Sequence, residues 1–100
     1  MELEVRNGRV EVVLPAVLDL PAAGDLRDTL LDALARDAAA EVVLKADAVE
    51  RISTAAVQVI LAAIPGFNAA QRRIELEGAG SAVSDAFRLL GAEAEFDMLS

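Results

Sequence analysis

Cysteine, histidine, tryptophan and tyrosine are all missing from this chain of 100 residues. Without cysteine there is no disulfide framework and no thiolate chemistry. Without histidine the commonest general base and metal ligand is gone. The only aromatics are three phenylalanines, so the core has to be built from Val, Leu, Ile and Ala, which are plentiful in a chain that is 55% hydrophobic. Cations are sparse as well. Nine basic residues stand against 17 acidic ones for a net charge of −8, and only Arg72-Arg73 are adjacent. Nucleic acid and anionic membrane surfaces both demand clustered cations, so neither is an expected partner. No apolar run approaches the roughly 20 residues that span a bilayer, which excludes membrane insertion. The start, Met1-Glu2-Leu3-Glu4-Val5, has neither the basic head nor the apolar stretch of a signal peptide. The expectation is one domain, residues 1–100, soluble and cytoplasmic. No cofactor is expected, and the poor catalytic equipment points to a binding module rather than an enzyme.

What is present orders itself along the chain. Leu3 and Val5 alternate with polar neighbours, as do Val10, Val12 and Leu14, and Asn7-Gly8 between the two runs is a hairpin signal. Asp19 and Pro21 announce a helix whose leucines recur at 26, 30 and 34 up to about Arg36, with Asp25, Asp28 and Asp32 forming an opposite polar stripe. Glu41–Lys45 is continuously apolar at its centre, the mark of a strand buried on both faces, with Lys45 as its end charge. A second helix carries Val57, Ile60, Leu61 and Ile64, and Pro65-Gly66 is expected to end or kink it, with a resumed turn from Phe67 to Gln71. Arg73–Glu77 alternates as a strand. A turn at Gly78-Ala79-Gly80 then leads to a last helix capped by Ser81, marked by Val83, Phe87 and Leu90 and ending at Gly91. The Ala38-Ala39-Ala40 run reads as a loop or helix end, and the tail through Phe96 has no assigned structure. The fold class is α/β: a mixed four- to five-stranded sheet in β-β-α-β-α-β-α order with helices packed on it, since helical crossovers imply parallel pairing.

The most informative segment is Arg51-Ile52-Ser53-Thr54-Ala55-Ala56-Val57. Two adjacent hydroxyls precede an apolar helix. Ser53 is placed to cap its orphan N–H groups. Thr54 falls in the first turn, where the positive end of the macrodipole favours an added negative charge. From the residues alone, the plainer reading is a simple cap. The alternative is a switch, in which a phosphoryl group on Thr54 changes the surface that a partner meets. Asp19 is an N-cap with a possible contact role, and Asp47 and Glu50 read as loop charges that could line the same surface. The glycine-rich turn at 78–80 lacks the further glycine that a dinucleotide loop needs at Val83.

At these residues the chain resembles the STAS domain family, shared by sulfate transporters and anti-sigma factor antagonists. The resemblance runs from about Leu3 to Phe96. It rests on the element order, on Leu18-Asp19 before the first helix, and on the distance from Val42-Val43-Leu44 to the hydroxyl heading the second helix. The family signature of Asp, then Ser or Thr, a small residue and Gly reads here as Ser53, Thr54, Ala55 and Ala56, followed by Val59-Ile60-Leu61. Ser53 thus replaces an acidic residue and Ala56 a glycine. The resemblance implies a STAS-like fold and a bacterial, non-catalytic regulator that works by partner switching. Thr54 would be the phospho-acceptor, with a contact surface of Asp19, Asp47, Glu50, Ser53, Thr54, Ala55 and Gln58. It implies a protein partner: an anti-sigma-type serine/threonine kinase, or a chemotaxis component, since stand-alone STAS proteins of chemotaxis clusters look most alike. A constitutive subunit of a chemotaxis complex or of a lipid-transporter ATPase is the alternative, with no phosphorylation.

Overall fold

Among the described residues, six strands and four helices follow one another. In the computed structural model, which describes residues 1–36 and 41–100, these are β1 (Glu2–Arg6), β2 (Arg9–Val13), β3 (Val17–Leu18), α1 (Leu20–Ala35), β4 (Glu41–Lys45), β5 (Arg51–Ile52), α2 (Thr54–Ala69), β6 (Ile74–Glu77), α3 (Ser81–Leu89) and α4 (Glu93–Leu99). The Ala38-Ala39-Ala40 run lies outside the described residues. The main sheet has four strands in the order β1-β2-β4-β6. Its first pair is antiparallel, and β2–β4 and β4–β6 are parallel. The opening hairpin turns through Asn7 (φ 53°) and Gly8 (φ 76°), the two positive values a type I′ turn demands.

Pleating sorts the sheet into two unlike faces. Val10, Val12, Val42, Leu44, Ile74 and Leu76 join one core cluster with Leu26 and Leu30 of α1, Ile60 and Phe67 of α2, Phe87 of α3 and Leu99 of α4. The other face is charged. There Arg9 reaches from Glu41 (3.2 Å) to Glu77 (3.2 Å), crossing the row of Val43, which is fully buried beneath these side chains. Lys45 also bonds Glu77. The hydrogen bond from Lys45, and then that from Arg9, hold the Glu77 carboxyl below its ordinary range, while the same Glu77 bond holds the Lys45 ammonium above its own.

Helix ends depart from the sequence reading in three places. First, α2 runs through Pro65 to Ala69 rather than ending there. Proline removes one backbone donor. However, Pro65 is exposed, while Ile64 and Phe67 on either side are anchored in the core and carry the helix across the gap. The true stop is a Schellman closure, with Arg72 N donating to Phe67 O (2.8 Å) and Gln71 N to Asn68 O (3.0 Å). Second, Ser81 is the first residue of α3 and Gly80 its cap residue, with no side-chain cap bond. Third, Leu90 is partly exposed beyond the end of α3, and the tail folds as α4. There is also an addition: β3 and β5, each two residues long, pair in parallel apart from the main sheet.

Gln71 sits in the left-handed region at φ 57°, where the Schellman motif ordinarily holds glycine. Gln71→Gly is expected to stabilise the protein by about 0.5–1 kcal/mol, because the strain relieved exceeds the added unfolded-state entropy. Thermal unfolding should show a Tm higher by about 4 °C.

Candidate functional site

The two-residue strands build the site. Val17 pairs with Arg51 and Leu18 with Ile52, and Ser53 N donates to Leu18 O (2.8 Å). Glu50 N and Arg51 N both donate to Ala16 O, at 2.8 and 3.1 Å. This clamp fixes the chain immediately before α1 to the chain immediately before α2. The two helix starts therefore lie side by side. Asp19 caps the first by accepting from Ala22 N (3.1 Å), and Ser53 caps the second by accepting from Ala56 N (3.1 Å). Each cap satisfies an orphan donor that the helix cannot satisfy itself.

Thr54 is the first residue of α2 and is exposed. Gln58, one turn on and on the same side, is exposed too, and Ala55 is half-buried between α2 and its surroundings. Ala56, where a glycine was expected from the resemblance, is fully buried. Asp19, Ser53, Thr54, Ala55 and Gln58 thus share one patch. Asp47 is exposed but set against the β6–α3 turn. Gly78 there has φ 75°, and a Cβ on it would lie 2.5 Å from the Asp47 carboxyl carbon. Ala46 N donates to Glu77 O (2.8 Å), so the connections leaving β4 and β6 abut. The turn at 78–80 serves this close approach. Glu50 is exposed at the start of the clamp.

A family model described as Mlab, STAS domain, matches residues 2–100. The chain belongs to the STAS domain family. Two solved structures of the anti-sigma factor antagonist SpoIIAA have the same fold. The unphosphorylated form is 19% identical with a TM-score of 0.79, over 93% of this chain and 82% of that one. The phosphorylated form, described as a Bacillus cell fate determinant, is 19% identical with a TM-score of 0.73, over 93% and 85%. A third structure, of Mglu, is 26% identical with a TM-score of 0.68, over 80% of this chain but 20% of that longer one. No curated protein matches the sequence. Among the described residues, no helix is long and apolar enough to cross a membrane.

In this STAS domain the surface around Thr54 includes residues the sequence did not single out. Leu20, beside the Asp19 cap, is 70% exposed, and Val17 is 38% exposed. Val17, Asp19, Arg51 and Ser53 line a shallow depression at the clamp. One signal for it was legible: Leu18-Asp19 and Ile52-Ser53 are the same apolar-then-cap pair, each placed just before a helix.

Proposed function

We propose that this STAS domain is a cytoplasmic bacterial regulator that works by partner switching, with Thr54 as the phospho-acceptor and an anti-sigma-type serine/threonine kinase as partner. The observation that carries the reading is the exposure of Thr54 at the first position of α2, next to the Asp19 cap and the exposed Leu20. The shared fold with a protein solved in unphosphorylated and phosphorylated forms supports it. Asp19, Ser53, Thr54, Ala55 and Gln58 would form the centre of the contact, with Asp47 and Glu50 on the flanking loop. The domain supplies a surface and not chemistry of its own. A phosphoryl group on Thr54 adds about two negative charges and three acceptor oxygens, tolerated by the helix N-terminus but costly inside a desolvated contact.

Incubation with ATP and an anti-sigma-type serine/threonine kinase from the same cells should add one phosphoryl group, and Thr54→Ala should lose that gain. Thr54→Glu should weaken kinase binding about 100-fold, the equivalent of nearly 3 kcal/mol. Equal affinity for wild type, Thr54→Ala and Thr54→Glu would overturn the switch. A second reading is favoured by Ser53 standing where the family signature has an acidic residue. It takes the domain as a constitutive subunit of a chemotaxis complex or a lipid-transporter ATPase. An equimolar complex insensitive to ATP and phosphatase would decide for it.

A further inference from the structure

Almost every cation of this chain is already paired. Of the nine, seven bond a carboxylate at 3.2 Å or less, and Arg72 bonds carbonyls at the end of α1. Arg51 alone, among the described residues, has no such partner, although the chain carries 17 acidic residues. Its side chain is exposed and lines the depression at the clamp together with Ser53. Asp19 lines the same depression, but its carboxylate accepts from Ala22 N at the start of α1.

Residue 53 accounts for the open guanidinium. In extended backbone, positions i and i+2 share a side. This chain uses that spacing twice for ion pairs, Arg6 with Glu4 (2.8 Å) and Arg73 with Glu75 (2.6 Å). Arg51 stands at the same spacing from Ser53, whose backbone is still extended at φ −80° and ψ 158°. Serine caps the helix there and offers no charge in return.

We propose that Arg51 receives the phosphoryl group of phosphorylated Thr54. Three residues of chain span at most about 10 Å even when fully extended, and this segment turns into α2 at Thr54. The long arginine side chain and the phosphoryl group close that gap from both ends. A guanidinium meets phosphoryl oxygens with two parallel hydrogen bonds, a fit that no other unpaired side chain of this patch provides. An acid at position 53 would occupy Arg51 and repel the phosphoryl group. Serine removes both obstacles and keeps the cap. The pair then holds the added charge against the patch instead of leaving it free in solvent. The inference rests on Thr54 being the phospho-acceptor and names the group that meets the modification.

The test places phosphothreonine at position 54 of the full chain by genetic encoding, so that no kinase is needed. Phosphorus NMR follows its second ionisation as pH rises through about 6. A neighbouring cation favours the doubly charged form. The wild-type background should therefore ionise about half a pH unit below Arg51→Gln, a modest shift because the pair is exposed. Arg51→Lys should keep part of the effect, since an ammonium retains the charge but not the fork. In a Ser53→Asp background the Arg51→Gln shift should largely vanish, whereas a diffuse charge effect would persist there. The Arg51 side chain makes no bond, so circular dichroism and Tm should be unchanged in Arg51→Gln. Equal titrations with Arg51 and Gln at this position would overturn the proposal, as would an Arg51 effect undiminished by Ser53→Asp. So would weaker kinase binding of unphosphorylated Arg51→Gln with no change in titration, which gives the guanidinium to a carboxylate of the partner. The phosphoryl group is installed and not transferred, so failure of this pair is read apart from failure of Thr54 as acceptor, which the mass gain with ATP and kinase decides.

Discussion

Replacing Arg72 with alanine is expected to destabilise the fold by about 3 kcal/mol and lower Tm by about 15 °C. Arg72 is 4% exposed, and its Nη1 donates to Ala33 O (2.8 Å) and Leu34 O (3.1 Å). Both carbonyls belong to the last turn of α1, where Ala33 O also accepts from Arg36 N (3.3 Å). The guanidinium also lies 5.2 Å from the centre of the Phe67 ring. A cation at a helix C-terminus is favoured by the macrodipole, and burial keeps that attraction from being screened. Removing the side chain takes a charge-assisted donor from both carbonyls and opens space beside Phe67, two costs of the same sign. Arg72→Lys should recover part of the loss, since an ammonium keeps the charge but not the planar fork. Urea unfolding at an unchanged m-value is the measurement. A loss under 1 kcal/mol would show that water satisfies the α1 carbonyls equally well.

Phe87→Ala is expected to cost about 4 kcal/mol, a large share of the stability of a domain this size. Phe87 is fully buried, and its ring packs on Phe96 of α4 at 5.4 Å with a 54° tilt. Its carbonyl also accepts from Ala92 N (2.9 Å), the bond that closes the turn between α3 and α4. A helix of seven residues with no side-chain cap cannot stand alone, so α4 depends on this docking. Hydrogen exchange in the variant should therefore quicken first over residues 93–99. Uniform loss of protection along the chain would mean that α4 is an integral part of the cooperative unit.

These two residues mark how far the sequence could be read. Phe87 was legible as core from its helical spacing with Val83, but the helix it secures was not, since Glu93–Leu99 has too few turns to show a period. Arg72 was visible only as half of the Arg72-Arg73 pair. The structure separates them, burying Arg72 under α1 while Arg73 stays exposed and bonds Glu75 (2.6 Å). Pro65 does not end α2, because core contacts at Ile64 and Phe67, invisible as such in the sequence, hold the helix on both sides of it. At the candidate site, the caps Asp19 and Ser53 and the hydroxyl of Thr54 were read correctly as local features, since capping depends on neighbours two or three residues away.

Alternation, helical spacing and turn chemistry thus determined the hairpin, the buried central strand and the three long helices, because each is dictated by residues close in sequence. The clamp between β3 and β5 was decided only by tertiary structure, since two-residue strands carry no pattern and gain their bonds from a partner more than thirty residues away. The exposed, uncharged side of α2 follows for the same reason. A helix can be seen in the sequence to lack charge, but which side it leaves open depends on where the rest of the chain packs against it.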